Sequence, residues 1–324
     1  MELKRYQQSV IDDLSRFLAL LSETGDIAQS YRAFWSEKKV AVGLGGLQEY
    51  KNALPGVPNV CLKVPTGGGK TFIAACAIKP IFDSLPHTKT KAVVWLVPSD
   101  AILEQTARTL SDPHHPYRQR INTDFSHRVE VYSKNQLLSG QNFNPTVIHE
   151  QLSVFVLSYD SFRTSKKEGR KAYQENGNLA QFAKHFDDPS ILLADTDETA
   201  LIQVMRALNP IVIVDESHHA TTPLSKEMLT NFNPSFVLDL TATPKKESNI
   251  IAYVDALQLK RENMVKLPVI VYNRRSQSDV FVDAITIRDK LEAQAKLDEK
   301  QTGRYIRPIV PASRAERQRH YHVR

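Results

Sequence analysis

At 324 residues the chain is long for a single domain and suits two units, or one large domain carrying insertions. With 41% hydrophobic and 24% charged residues, its composition is that of an ordinary globular protein and excludes the disordered and fibrous classes. The net charge of +6 excludes little, because residues 303–324 hold six arginines and one glutamate, and the rest of the chain carries only +1. Bulk charge therefore makes no case for nucleic-acid binding by the folded part. No apolar run approaches the about 18 residues that a membrane helix needs, and the opening MELKRYQQ lacks the basic-then-apolar layout of a signal peptide. A cytoplasmic location without membrane contact is expected. Cys61 and Cys76, the only two cysteines, are expected as buried reduced thiols rather than a disulfide or metal ligands.

In chain order, Val10, Ile11, Leu14, Phe17, Leu18 and Leu21 recur at helical spacing, which predicts an amphipathic helix over about residues 6–21. At its start Leu3, Tyr6 and Gln7 form an L-x-x-Y-Q pattern, and the paired acceptor and donor of the Gln7 amide suit an adenine edge. A second helix with Ile27, Tyr31, Phe34 and Trp35 follows, then a loop around Gly43, Gly45 and Gly46; Phe34 and Trp35 read as packing residues.

Next come Val60, Cys61, Leu62 and Val64, a short apolar strand that runs into Thr66, Gly67, Gly68 and Gly69. Lys70 and Thr71 then open a largely apolar helix, expected to end near Pro80. This layout is a phosphate cradle. Glycines let backbone N–H groups turn inward and approach a polyphosphate, and the helix start adds its positive dipole end at the same place. Lys70 can reach the terminal phosphates and the Thr71 hydroxyl can ligate Mg²⁺. Val64 stands where the strict pattern has a small residue.

Residues 92–97, AVVWLV, form a continuous apolar run of the kind found inside a parallel sheet. It ends in Pro98, Ser99 and Asp100, ahead of a helical pattern carrying Ile102, Leu103, Thr106 and Leu110. Ligands sit at the carboxyl ends of parallel strands, so Pro98 and Ser99 are candidates for contact with a substrate backbone. Residues 128–132 are expected as an edge strand, and His114 and His115, between prolines, as a surface turn. Another apolar run at 154–157 leads into Ser158, Tyr159 and Asp160. Residues 163–208 turn polar and charged, and are expected as an insertion with helical pieces. Its cluster of Lys166, Lys167, Arg170 and Lys171 reads first as a solvated face, and second as a contact for nucleic-acid phosphates.

The stretch 210–220, PIVIVDESHHA, is apolar on both strand faces from Ile211 to Val214 and then ends abruptly in Asp215 and Glu216. Two adjacent carboxylates at the end of a buried strand cost free energy unless a cation or a reaction uses them. Beside a phosphate loop, Asp215 suits holding Mg²⁺ and Glu216 suits orienting and deprotonating an attacking water. His218 fits a role in passing the nucleotide state onward, and His219 has no assigned role. Residues 236–244, FVLDLTATP, form a further apolar strand ending in small hydroxyl residues, among them Thr241 and Thr243, able to hydrogen-bond across strand tips.

The series L-x-x-Y-Q, PTGGGKT, VPSDAILEQ, LSYDS, DESHH and TATP resembles the first motor domain of superfamily 2 helicases and translocases of DEAD/DEAH type. Within these the chain is most similar to the ATPase subunit of type III restriction enzymes, over residues 1 to about 310. The resemblance implies an α/β, P-loop NTPase fold with a RecA-like parallel sheet flanked by helices. It implies a helical segment with the adenine motif at 1–58, an ATP-binding helicase domain at 59–262, and a linker with the start of a second motor domain at 263–324. ATP and Mg²⁺ are the implied cofactors and ATP hydrolysis coupled to DNA binding the implied activity. Duplex DNA, gripped by its backbone, and a modification (methyltransferase) subunit are the implied partners.

Carried over residue by residue, the resemblance makes Gln7 an adenine contact, Thr66, Gly67, Gly68, Gly69, Lys70 and Thr71 the phosphate site, and Thr71 and Asp215 the Mg²⁺ ligands. It makes Glu216 the catalytic base, assisted by Lys70. Pro98, Ser99, Ser158 and Tyr159 match nucleic-acid-backbone motifs, and His218, Thr241 and Thr243 match coupling positions. Residues 269–272 are expected as a linker strand, 285–300 as a helix and 305–310 as the start of the next core strand. The arginine-rich PASRAERQRHYHVR then reads as an interrupted end, and the chain alone is not expected to cut DNA. Two rival expectations stand beside the motor reading: a module that holds ATP without appreciable turnover, and an RNA helicase, because the same parts grip either polymer by its backbone.

Overall fold

The structure, a computed structural model, describes residues 1–85, 88, 90–162, 171–186, 188–216, 223–264, 276–303 and 305–310. It divides into two compact units, Met1–Val265 and Lys266–Arg324. The first is built on seven strands: β1 (Asn59–Lys63), β2 (Lys91–Val97), β3 (Val129–Tyr132), β4 (Leu152–Ser158), β5 (Ile211–Asp215), β6 (Phe236–Thr241) and β7 (Ile250–Tyr253). They lie in the order β3-β4-β2-β5-β6-β1-β7, and every pairing is parallel. Parallel neighbours need a crossover over a face of the sheet, so the carboxyl ends of all these strands gather along one edge. This is an α/β architecture, a parallel sheet flanked by helices, with β3 at one edge and β7 at the other.

Successive side chains of a strand leave opposite faces. On one face Val93, Trp95, Ile211, Ile213, Phe236 and Leu238 join a core closed by α1 (Arg5–Thr24), α2 (Ile27–Glu37), α3 (Lys70–Ser84), α4 (Asp100–Ser111) and α5 (Pro116–Asp124). On the other, Val94, Leu96, Val212, Val214 and Val237 join a second core. Its helices are α6 (Lys134–Ser139), α7 (Pro145–Glu150), α8 (Ala180–Ala183), α9 (Leu201–Ala207) and α10 (Pro223–Asn231). The buried runs of β2 and β5 follow directly from being covered on both sides.

Two expectations are corrected. Helix α3 does not end near Pro80 but runs through it to Ser84. A proline inside a helix costs about 3 kcal/mol, and the burial of Ile81 and Phe82 just beyond it opposes that cost. The segment 163–208, where described, consists of short helical pieces, and its Leu179, Phe182, Leu201, Ile202, Val204 and Met205 supply much of the second core. Its Lys166, Lys167 and Arg170 lie outside the described residues. Residues 305–310 have no regular secondary structure: a strand needs a neighbour for its backbone groups, and among the described residues of the second unit there is none. That unit carries a helix, Gln277–Thr302, closed by Gly303 with φ 70°, while 269–272 lie outside the described residues.

Cys61 and Cys76 are buried and unbridged, and burial pushes both thiols up, Cys76 to about 11. No helix among the described residues is long and apolar enough to cross a membrane.

The burial of Leu201 in the second core makes a direct prediction. Leu201→Ala should destabilise the fold by about 2–5 kcal/mol in chemical denaturation, as a buried leucine does. A change within about 0.5 kcal/mol, typical of a solvated surface, would mean that the segment lies outside the core.

Candidate nucleotide site

Strand β1 delivers the chain to Val64, whose N–H donates to the Thr241 carbonyl at 3.0 Å and so fixes the start of the glycine loop to the tip of β6. Val64 itself is fully buried. Gly67 and Gly69 have φ of +81° and +74°, which side-chain-bearing residues rarely adopt. Space also excludes larger residues: a Cβ on Gly68 would fall 2.7 Å from Val64 Cγ1, and one on Gly69 2.5 Å from Gln7 Nε2. The Gly69 carbonyl accepts from the N–H groups of Phe72 and Ile73, both at 3.0 Å. The leading N–H groups of α3, on Lys70 and Thr71, have no intrahelical acceptor and meet the positive end of the helix dipole. Thr66 and Gly67 are exposed, and Thr71 is half-buried.

The first turn of α1 props the loop from behind. Tyr6 Oη donates to the Gly68 carbonyl at 2.8 Å and Gln7 Nε2 to the same oxygen at 3.2 Å. Gln7 Oε1 accepts from the Lys4 N–H at 2.9 Å, and the side chain is wholly buried. The amide expected at adenine is thus engaged at both ends by the protein. Burial, and after it the nearby Glu262 carboxylate, push the Tyr6 phenol up. The Tyr6 hydroxyl was missed from sequence, although its place beside Gln7 in L-x-x-Y-Q was the available signal. From the other side α11 (Ala256–Arg261) approaches the loop. Leu259 Cδ2 and the Met264 carbonyl oxygen each lie 3.7 Å from where a Cβ would stand on Gly68 and Gly67 respectively. Beside the loop a cleft of about 510 Å³ is lined by Arg5, Tyr6, Ser9, Gln258, Arg261 and Glu262.

Strand β5 carries Asp215 and Glu216 to the same edge, with Asp215 in register with Leu240 of β6. Lys70 Nζ and Glu216 Oε1 are 2.8 Å apart, with the two side chains 9% and 19% exposed. Glu216 holds φ at +52°, a conformation that costs about 1–3 kcal/mol in a non-glycine residue and collects at functional sites. Asp215 is 8% exposed, and its Oδ1 is buried with no hydrogen-bond partner among the described residues. Burial raises its carboxyl to about 6; Lys70 pulls it down and Glu216 pushes it up. An orphaned carboxylate oxygen, with the Thr71 hydroxyl on the first turn of α3, makes an oxygen-only donor set that fits Mg²⁺. Among the described residues no three His, Cys, Asp or Glu side chains cluster as an all-protein metal site. Mg²⁺ suits such a sparse set, since it keeps waters and phosphates as its other ligands.

The other expected site residues lie along the same edge in different states. Ser99 is exposed, and its hydroxyl caps α4 by accepting from the Ile102 N–H at 3.5 Å; Pro98 beside it is half-buried. Ser158 is buried, with its hydroxyl 3.2 Å from that of Ser161. Tyr159 is buried as well, and its hydroxyl donates to the Asp215 carbonyl at 2.7 Å. Its side chain therefore ties the tip of β4 to the acidic residue instead of facing a polymer. Thr241 Oγ1 accepts from the Thr243 N–H at 3.2 Å, which shapes the turn after β6. His218 and His219 lie outside the described residues. A separate pocket of about 240 Å³, whose lining includes Thr90, Ile148 and Asn209, opens at the amino ends of β2, β4 and β5, the edge opposite the loop.

The state of Asp215 makes stability depend on pH. Its folded value of about 6 lies above the ordinary aspartate value of 3.8, so the ionised form favours unfolding. The metal-free fold should lose this contribution as pH rises from about 4 through 6. Asp215→Asn is neutral throughout, so its stability relative to wild type should climb over the same window, by about 3 kcal/mol at most. Denaturation curves at pH 4.5 to 8 in chelator test this; a constant difference would contradict it.

A family model described as "Type III restriction enzyme, res subunit" matches residues 1–246. Among solved structures the chain is similar to a nuclease-deletion mutant of the Type ISP restriction-modification enzyme LlaGI, solved in complex with a DNA substrate mimic. The sequences are 14% identical, the match covers 93% of this chain and 23% of that one, and the TM-score is 0.40. No curated protein sequence matches. The 246 matched residues hold the glycine loop, the Asp215–Glu216 pair and the TATP turn, and the chain belongs to the family of type III restriction enzyme res subunits.

Proposed function

We propose that this chain, a member of a helicase-type ATPase family, is an ATP-hydrolysing domain of a motor that moves on duplex DNA in the cytoplasm, working with a modification subunit. The observation that carries the reading is the 2.8 Å pairing of Lys70 with Glu216, beside the orphaned Oδ1 of Asp215. It joins a phosphate-seeking cation and a candidate general base at one point of the glycine loop. Thr71 and Asp215 would hold Mg²⁺, which would supply positive charge to offset the negative charge that develops on the transferring group. The loop and leading α3 amides cradle the phosphates, with Thr66 and Gly67 open to solvent on the approach. Lys70 exchanges the Glu216 carboxylate for phosphate oxygens, and that exchange releases Glu216 to orient the attacking water and take its proton. Thr241, Thr243 and His218 then relay the nucleotide state from the β6 tip, and Pro98, Ser99, Ser158 and the backbone around Tyr159 form the polymer track.

Lys70→Ala should weaken Mg-ATP binding about tenfold to a hundredfold, the worth of a charge-assisted contact. Glu216→Gln should keep or tighten binding, because Lys70 is released, while turnover falls about 10²- to 10⁴-fold as a lost general base predicts. The decisive assay is phosphate release by the purified chain alone, with duplex DNA and with single-stranded RNA. DNA-stimulated turnover that disappears in Glu216→Gln supports the motor. Stimulation by RNA alone would reassign the polymer. Equal ATP affinity in wild type and Lys70→Ala would remove the phosphate-loop assignment itself.

A further inference from the structure

Glu216 holds φ at +52°, and a non-glycine residue stays in such a conformation only where its surroundings over-determine it. We propose that Tyr159 supplies that constraint: its hydroxyl holds the peptide between Asp215 and Glu216, and so keeps the Glu216 carboxylate aimed at the attacking water. Tyr159 is then a positioning residue for hydrolysis, acting through the base without touching nucleotide or cation. The inference rests on the hydrolytic reading above and deepens it.

Strand pairing stops short of this peptide. β5 is paired with β2 as far as Val214 and with β6 as far as Asp215, so the peptide that follows Asp215 lies past both ladders. Its carbonyl accepts instead from Tyr159 Oη at 2.7 Å. A peptide unit is planar, so a bond that fixes the carbonyl also fixes the plane of the Glu216 N–H. The φ of Glu216 is a rotation measured against that plane. With the plane free to turn, φ relaxes towards the negative values that side-chain-bearing residues prefer. The carboxylate then swings away from its place 2.8 Å from Lys70 Nζ.

The donor comes from a strand that does not adjoin β5, because β2 lies between β4 and β5. Ser158 is level with Val97 of β2, and Tyr159 follows it, so the side chain crosses the β2 tip to cover about 10 Å, or two strand spacings. Its ring is buried in the second core, where close packing keeps the hydroxyl in one place. The turn that carries it, Tyr159–Phe162, is held in its own right. The Ser158 and Ser161 hydroxyls are 3.2 Å apart, and Lys134 Nζ donates to the Ser161 carbonyl at 2.8 Å. A hydroxyl fixed from its own side can impose a geometry on its acceptor.

The test is ATP turnover by the purified chain at saturating Mg-ATP with duplex DNA present, beside ATP binding by calorimetry. The variants are Tyr159→Phe, Tyr132→Phe, Glu216→Gln, and a double variant carrying Tyr159→Phe and Glu216→Gln. Tyr159→Phe keeps the buried ring and removes only the donor. Tyr132→Phe is the control: the Tyr132 ring is also in the second core, and its hydroxyl donates to the Asn142 carbonyl at 2.8 Å, so the fold loses a bond of the same kind away from the site. The expected result is that Tyr159→Phe lowers kcat about tenfold with ATP affinity unchanged, while Tyr132→Phe matches wild type in both. In the double variant Tyr159→Phe should add no further loss to that of Glu216→Gln, because its effect passes through the same carboxylate. Wild-type kcat in Tyr159→Phe overturns the proposal, as does an equal loss in Tyr132→Phe or a full additional loss in the double variant. Should wild type bind Mg-ATP without turnover, the hydrolytic reading fails and takes this one with it; turnover that Glu216→Gln stops and Tyr159→Phe leaves intact overturns the positioning role alone.

Discussion

An ammonium and a carboxylate 2.8 Å apart and largely out of water organise the functional edge of this protein. Removing either charge from solvent is costly, and the pair offsets that cost only while both partners stay in place. The fold meets the condition through parallel pairing. Because β1, β5 and β6 run the same way and adjoin, the helix that starts after β1 sets its first lysine above the acidic end of β5. Reversing β1 or β5 would send its tip to the opposite edge and leave one charge alone.

Around that pair, the backbone is held more tightly than the side chains alone require. The Gly68 carbonyl takes two donors from α1, Val64 is tied to Thr241, and Tyr159 is tied to Asp215. Each bond crosses between segments distant in sequence, so the loop, the acidic tip and the TATP turn form one connected frame. Such a frame stores a strained Glu216 and an unpartnered Asp215 oxygen without collapsing onto them. A frame of this kind fixes polar groups in place before any ligand is bound.

The family explains why these features occur together. The glutamine of L-x-x-Y-Q is built into the foundation of the loop, its amide held by the Lys4 N–H and the Gly68 carbonyl. The polar cleft made by α1 and α11 draws on residues 258–262, beyond the span matched by the family model.

Much of this was legible in the sequence. Continuous apolar runs at 92–97, 154–157 and 211–214 announced buried parallel strands, three glycines before Lys70 announced the cradle, and adjacent acids after an apolar run announced a charged site. Those signals are local: strand burial, loop conformation and helix start depend on residues within one short window. The core role of Leu201 to Met205 was hidden because the charges around them dilute the apolar pattern, and their burial exists only in the assembled second core. Pro80 was misread because burial beyond it opposes its local cost. Gln7, Tyr6 and Tyr159 have partners 56 to 62 residues away, and no spacing rule encodes such contacts. The sequence by itself therefore determined which chemical groups are present and which strands and loops carry them. Only the tertiary structure decided which groups face one another, because a hydrogen bond or ion pair across the sheet edge depends on strand order and register, and these are properties of the whole folded chain.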